Sequence, residues 1–172
     1  SFCVFLPDDI IFSNTPCMLD MIEIYKNFSL PVVAIKEVSE EKIPLLGIVD
    51  VDKYKNNVYK IVEMLEKPTL DEAPSNLAII GRYVLPSSVF AELKSVKPGA
   101  NGEIQITDAL VPIMKNTGFH GYRFHGTHFD TGNPIGLLQA SVYTATTDPE
   151  ISEIFINWIN SNFKKIKQNL NY

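Results

Sequence analysis

SFCVFLPDDIIFSNTPCMLDMIEIYKNFSLPVVAIK, residues 1–36, decides the fold class. Residues 2–6 are a continuous apolar run closed by Pro7-Asp8-Asp9, which predicts a buried, parallel strand ending at an acidic loop. Thr15-Pro16 reads as an N-cap with proline at the first helical position. Met18, Met21, Ile22, Tyr25 and Phe28 then recur at helical spacing. Pro31 to Lys36 is a second β-rich run. Strand, helix and strand joined by short links make a βαβ unit, so an α/β fold with a mixed or parallel sheet is expected.

Outward from this stretch, Gly47 to Asp52 and Val58 to Leu65 flank a polar loop and predict a hairpin. Leu77 to Leu85 is a further strand. Pro86 is expected to open a short helix through Leu93. Pro98 to Gly102 reads as a loop. A helix begins near Thr107-Asp108, and Pro112 should kink or shorten it. Phe119 to Phe124 is strand-like. Asn133-Pro134 caps a helix running to about Thr146, and Ile151 to Ile166 is an amphipathic helix that is a candidate for subunit contact or core packing.

The 172 residues are 45% hydrophobic and 20% charged, enough for one domain with a sizeable core. Lys and Arg number 15 against 20 Asp and Glu. That acidic balance argues against a duplex nucleic-acid binder and leaves room for a local basic pocket for a phosphorylated metabolite. Cys3 and Cys17 are expected as small hydrophobes beside the core. No apolar run is long enough for a spanning helix, and no signal sequence is visible, so a soluble cytoplasmic chain is expected.

Four segments could carry chemistry. Asp8-Asp9 follows a strand where open sheets bind ligands, and carboxylates suit Mg2+; a solvated turn is the alternative. In Glu66-Lys67-Pro68, Lys could neutralise a phosphate and Glu could accept hydroxyl hydrogen bonds, or both could be surface charges at a strand end. Gly102 to Asp108 reads first as helix capping. His128 to Asn133 reads as a turn plus N-cap, with an acid–base His–Asp pair as the alternative. No Ser or Cys sits in a nucleophile-elbow context. His120, His125 and His128 lack zinc spacing and are expected to be surface or packing residues.

Together with Ala73 to Tyr83, these segments occur in the order found in bacterial UTP–glucose-1-phosphate uridylyltransferases, and the chain resembles that family from residue 2 to about 160. The resemblance implies a Rossmann-like mixed sheet over one partial nucleotidyltransferase domain spanning 1–172, with C-terminal helices from about 133. It implies formation of UDP-glucose and pyrophosphate from UTP and glucose 1-phosphate. Asp8 and Asp130 are implied as holders of a catalytic Mg2+. Asp9 falls at a sugar-side contact, Glu66 at the acceptor for glucose hydroxyls, and Lys67 at the sugar phosphate. Gly47 and Ile79 match backbone contacts, and Tyr83 falls near the sugar pocket.

The family's N-terminal glycine-rich loop has no counterpart, because the sequence holds no Gly-x-Gly segment. The expectation is therefore a C-terminal portion, a fragment inactive alone, associating with a missing N-terminal segment or forming a homo-oligomer. The alternatives are a sister enzyme using dTTP, ATP or GTP, or a non-catalytic sugar-phosphate-binding module.

Overall fold

A computed structural model describes residues 1–98, 102 and 104–169, without the side chains of Lys164, Ile166, Gln168 and Asn169. Glu103, most of the 98–102 loop and the side chains of Lys164 and Ile166 in the last helix thus lie outside the description. The chain falls into two compact units. One comprises Ser1–Pro7 with Ile11–Thr127, and the other Asp8–Ile10 with the chain from His128 on.

The first unit is an α/β layer structure around a mixed six-stranded sheet. Its strands are β1 (Phe2–Phe5), β3 (Val32–Glu37), β4 (Gly47–Lys55), β5 (Val58–Glu66), β6 (Leu77–Leu85) and β7 (His120–Arg123); β2 (Asp9–Phe12) and β8 (Thr127–Asp130) form a two-stranded sheet of their own. The order is β1-β6-β3-β7-β5-β4, with β4 also pairing β6. β3 and β7 run parallel, and the other pairings are antiparallel. Since β1 and β3 both lie antiparallel to β6, they are parallel to each other with β6 between them. Helix α1 (Cys17–Phe28) is the crossover of the expected βαβ unit.

β3 explains the core. Its first four residues are buried, because both faces of the sheet are covered. Val33 and Ile35 pack with Ile79, Leu110 and Ile113 on the side of α3 (Ile106–Thr117); α2 (Val89–Ser95) adds Val89 there. Val32 and Ala34 face the opposite way, against Met18, Met21 and Ile24 of α1.

Several expectations need correction. β1 is neither buried nor paired in parallel. Among the described strands it pairs with β6 alone, antiparallel, and its residues alternate half-buried and exposed, with Phe2 stacked on Phe90 at 5.1 Å. An apolar run reads as fully buried, but a strand with one neighbour and one covered face need not be. α1 starts one residue later than predicted, with Pro16 at the N-cap and no side-chain cap bond. Pro86 opens a turn, accepting from Val89 N at 3.2 Å, and the helix proper begins at Val89. Pro112 does not end α3, which runs through it because Ala109, Leu110, Ile113 and Met114 bury one face. Cys17 is buried as expected, whereas Cys3 is exposed.

The second unit carries α4 (Pro134–Thr147) and α5 (Ser152–Asn169). Asn133 caps α4 as predicted, its Oδ1 accepting from Gly136 N at 2.8 Å. Ile154 and Trp158 of α5 are 71% and 55% exposed, so this apolar face is not core. Among the described residues, no helix is long and apolar enough to cross a membrane.

Candidate active site

In the first unit the predicted residues meet where β4 begins and β5 ends. Gly47 pairs with Glu66 across the hairpin. A Cβ at Gly47 would lie 2.9 Å from Thr107 Oγ1, 3.2 Å from Glu66 Oε2 and 3.4 Å from Ile79 Cδ1. Glycine is what lets the Glu66 carboxylate and the buried Thr107 approach the strand. Lys67 follows in the left-handed region at φ 46°, held by its N–H donating to Leu46 O at 3.0 Å. Left-handed backbone is uncommon for a side-chain-bearing residue and is disfavoured again by the following Pro68. Such conformations cluster at functional sites.

The Lys67 ammonium is 4.0 Å from Glu66 Oε1, with side-chain exposures of 41% and 16%. An ion pair this long and this open contributes little to stability and leaves Lys67 available to an anion. Ile79 presents its side chain to Gly47. Tyr83 lies farther along β6, buried in the core with Val33 and Leu85.

In the second unit the carboxylates are set by a turn. Gly132 N donates to Asp130 Oδ1 at 3.0 Å, and Asn133 Nδ2 donates to Asp130 Oδ2 at 3.1 Å. Thr131 binds the Asp8 carbonyl through both its N–H and its hydroxyl, at 2.7 and 2.9 Å. A Cβ on Gly132 would sit 2.8 Å from Asp8 Oδ2 and 3.1 Å from Asp130 Oδ1, so both carboxylates turn toward one glycine. Asp9 points elsewhere: its Oδ1 meets His128 Nε2 at 2.6 Å, with both side chains largely shielded.

This donor set fits a hard divalent cation. Two carboxylate oxygens converge on a cradle that any side chain at 132 would fill, and such ions complete their shell with water and phosphate oxygens. Among the described residues, no cluster of three or more His, Cys, Asp or Glu able to hold a metal occurs.

A nucleotidyl transferase family profile matches residues 1–147. The chain belongs to the nucleotidyl transferase family. It is 39% identical over 154 residues to a UTP–glucose-1-phosphate uridylyltransferase of Mycoplasma genitalium, covering 88% of this chain and 53% of that protein. It is 34% identical over 164 residues to the uridylyltransferase YngB of Bacillus subtilis, covering 95% and 55%. A crystal structure of UDP-glucose pyrophosphorylase complexed with UDP-glucose superposes with a TM-score of 0.79 at 40% identity, over 83% of this chain and 55% of that one. The chain thus spans about half the length of the curated relatives it matches. The family generally uses a divalent metal.

Three features of this nucleotidyl transferase chain carry no local signal in the sequence. Thr107 looked like a cap, yet Gln105 occupies the N-cap position of α3 without a side-chain cap bond, and Thr107 is 3% exposed against Gly47. His128 was expected at the surface or in packing, yet it holds Asp9. The strands β2 and β8, which carry Asp9 and Asp130, were read as loop and turn. The bond between His128 and Asp9 joins residues 119 apart in sequence, and no local pattern announces it.

Proposed function

We propose that the whole protein joins UTP and glucose 1-phosphate into UDP-glucose and pyrophosphate. The observation that most directly supports this is the strand end where Gly47, Glu66 and Lys67 come together. It offers a close-approach glycine, a shielded acceptor and an available ammonium, the needs of a sugar phosphate.

In this reading Glu66 accepts hydrogen bonds from glucose hydroxyls, and the Gly47 backbone lets the ring come close. Lys67 binds the sugar phosphate and orients the oxygen that attacks. That oxygen forms a bond to the α-phosphorus of UTP while the bond from that phosphorus to the bridging oxygen breaks, and pyrophosphate leaves with the electron pair. The attacking oxygen is already anionic, so no general base is required; positioning and charge neutralisation do most of the work. Asp8 and Asp130 would hold Mg2+, which when bound supplies charge neutralisation to the phosphates. Asp9, oriented by His128, is assigned a sugar-side contact. Ile79 supplies a backbone contact beside Gly47; Tyr83, the weaker candidate for the sugar pocket, is buried with Val33 and Leu85.

The reading places the protein in the cytoplasm with its nucleotide substrate. It includes self-association through the exposed apolar residues of α5, which a sedimentation measurement checks. The chemistry is tested by product formation in the full-length protein with glucose 1-phosphate and either UTP or dTTP. UDP-glucose from UTP at a rate at least tenfold above the dTTP reaction is expected. Turnover with dTTP and none with UTP would overturn the choice of nucleotide.

A further inference from the structure

A second polar cleft lies in the first unit, away from the Glu66–Lys67 strand end. It occupies about 540 Å³ and is lined by Lys36, Glu37, Asn57, Arg123, Phe124 and His125. That volume is within the range of about 300–1,000 Å³ typical of small-molecule sites. It sits at the C-terminal ends of β3 and β7, the parallel pair of the sheet, where α/β sheets characteristically bind ligands. Along β3, Lys36 falls on the face of Ala34 and α1, opposite the face on which Ile35 packs with Ile79. Lys36 thus lies on the opposite face of the sheet from Gly47, whereas Arg123, the register partner of Ile35, and Glu37 fall on the face of Ile35 at the strand ends.

The charges in the cleft do not cancel. Glu37 is taken up by Arg123 at 3.0 Å. Lys36 has no carboxylate within 4.0 Å among the described residues. Its Nζ instead stands 5.9 Å above the ring centroid of the buried Phe124. Burial and the neighbouring Lys42 pull its ammonium below the ordinary lysine range. An uncompensated, partly desolvated cation is costly to keep unless something anionic meets it.

Donors surround this cation on a fixed frame. Asn57 Nδ2 lies 2.6 Å from His125 Nε2, a contact that holds the imidazole at the cleft. Arg123 N donates to Asn57 O at 2.9 Å, tying the end of β7 to the hairpin turn. Lysine, arginine, imidazole and amide donors around a polar cavity match the oxygens of a phosphate better than those of a neutral sugar.

We propose that this cleft binds a small phosphorylated anion, at a site separate from the one that takes the reacting sugar phosphate. Phosphate oxygens meet Lys36 and His125, while the Arg123–Glu37 pair closes one wall. The chemistry is shared by free phosphate and by the phosphate group of a phosphomonoester.

The test follows the His125 ring by NMR in the full-length protein during titration with inorganic phosphate and, separately, with glucose 6-phosphate. A saturable shift of His125 is expected with both, while the buried His120 ring reports that the fold is intact. Tighter saturation by the ester identifies a phosphomonoester site, and equal saturation a free-phosphate site. Lys36→Gln should weaken saturation at least tenfold, and Lys36→Arg should retain it. If Lys36→Gln does not fold, Arg123→Gln provides the same comparison. Lys67→Ala should leave the His125 titration unchanged, so a failure of the reading given to Lys67 is seen separately. No saturable His125 shift, a Lys36→Gln titration within threefold of wild type, or a shift lost in Lys67→Ala would overturn the proposal.

Discussion

Glu66 and Asp130 are both the last residue of a strand, yet they are held by different means. Glu66 ends the nine-residue β5, and its carboxylate shares with Thr107 and Ile79 the space around Gly47 that a Cβ would fill. Asp130 ends the four-residue β8, is exposed, and is aimed by hydrogen bonds from Gly132 and Asn133. One carboxylate is placed by close packing, which transmits any change of volume. The other is placed by a turn and capping residues. Substitutions in the first region should therefore trade stability against binding, whereas loss of the exposed carboxylate should remove chemistry and leave the fold.

The largest effect expected from breaking this contrast is at Lys67. Lys67→Ala in the full-length protein should lose ~2–4 kcal/mol of transition-state stabilisation, as when one preorganised donor is removed. A fall in kcat/KM of less than tenfold would count against its phosphate role. Lys67→Gly sharpens the point, because glycine accepts the left-handed backbone at 67 and should melt no lower than Lys67→Ala while being equally impaired.

Next in size is Gly47→Ala. The added Cβ enters the space held by Thr107 and Glu66, so a stability loss of about 1–3 kcal/mol is expected by urea unfolding, together with a raised KM for glucose 1-phosphate. Unchanged stability and KM would mean that the corner has room, and that packing does not place Glu66.

The smallest effect concerns His120, which is 4% exposed between the rings of Phe28 and Tyr54, with Nδ1 unpaired among the described residues. Burial holds its imidazole below the ordinary 6.5. The unfolded chain therefore binds a proton below that pH while the folded chain resists it. The His120 contribution is intact above 6.5 and declines as pH falls toward its folded value. Urea melts from pH 7.5 to 5 should show this slope, and His120→Leu should flatten it.

The strands of the first unit were legible where pattern and punctuation agree. Leu77–Leu85 is bounded by turn residues, and the β4–β5 hairpin brackets a polar loop at Asn56-Asn57. β2 and β8 were not legible, because four residues with a polar end carry too little periodicity. β1 misled because apolar composition does not distinguish a central strand from an outer one. The candidate site was legible as residue types, and the resemblance supplied their roles. His128, which orients Asp9, and Thr107, which closes on Gly47 beside Glu66, come from parts of the chain distant in sequence.

The central claim is that Asp8 and Asp130 serve a divalent ion in nucleotidyl transfer and do not serve the fold. The most direct measurement is Mg2+-dependent UDP-glucose formation by full-length Asp8→Ala and Asp130→Ala proteins, with melting temperatures recorded alongside. A loss on the order of 100-fold or more, at melting temperatures within about 2 °C of wild type, is predicted. Turnover within threefold of wild type, with an unchanged Mg2+ requirement, would contradict the account.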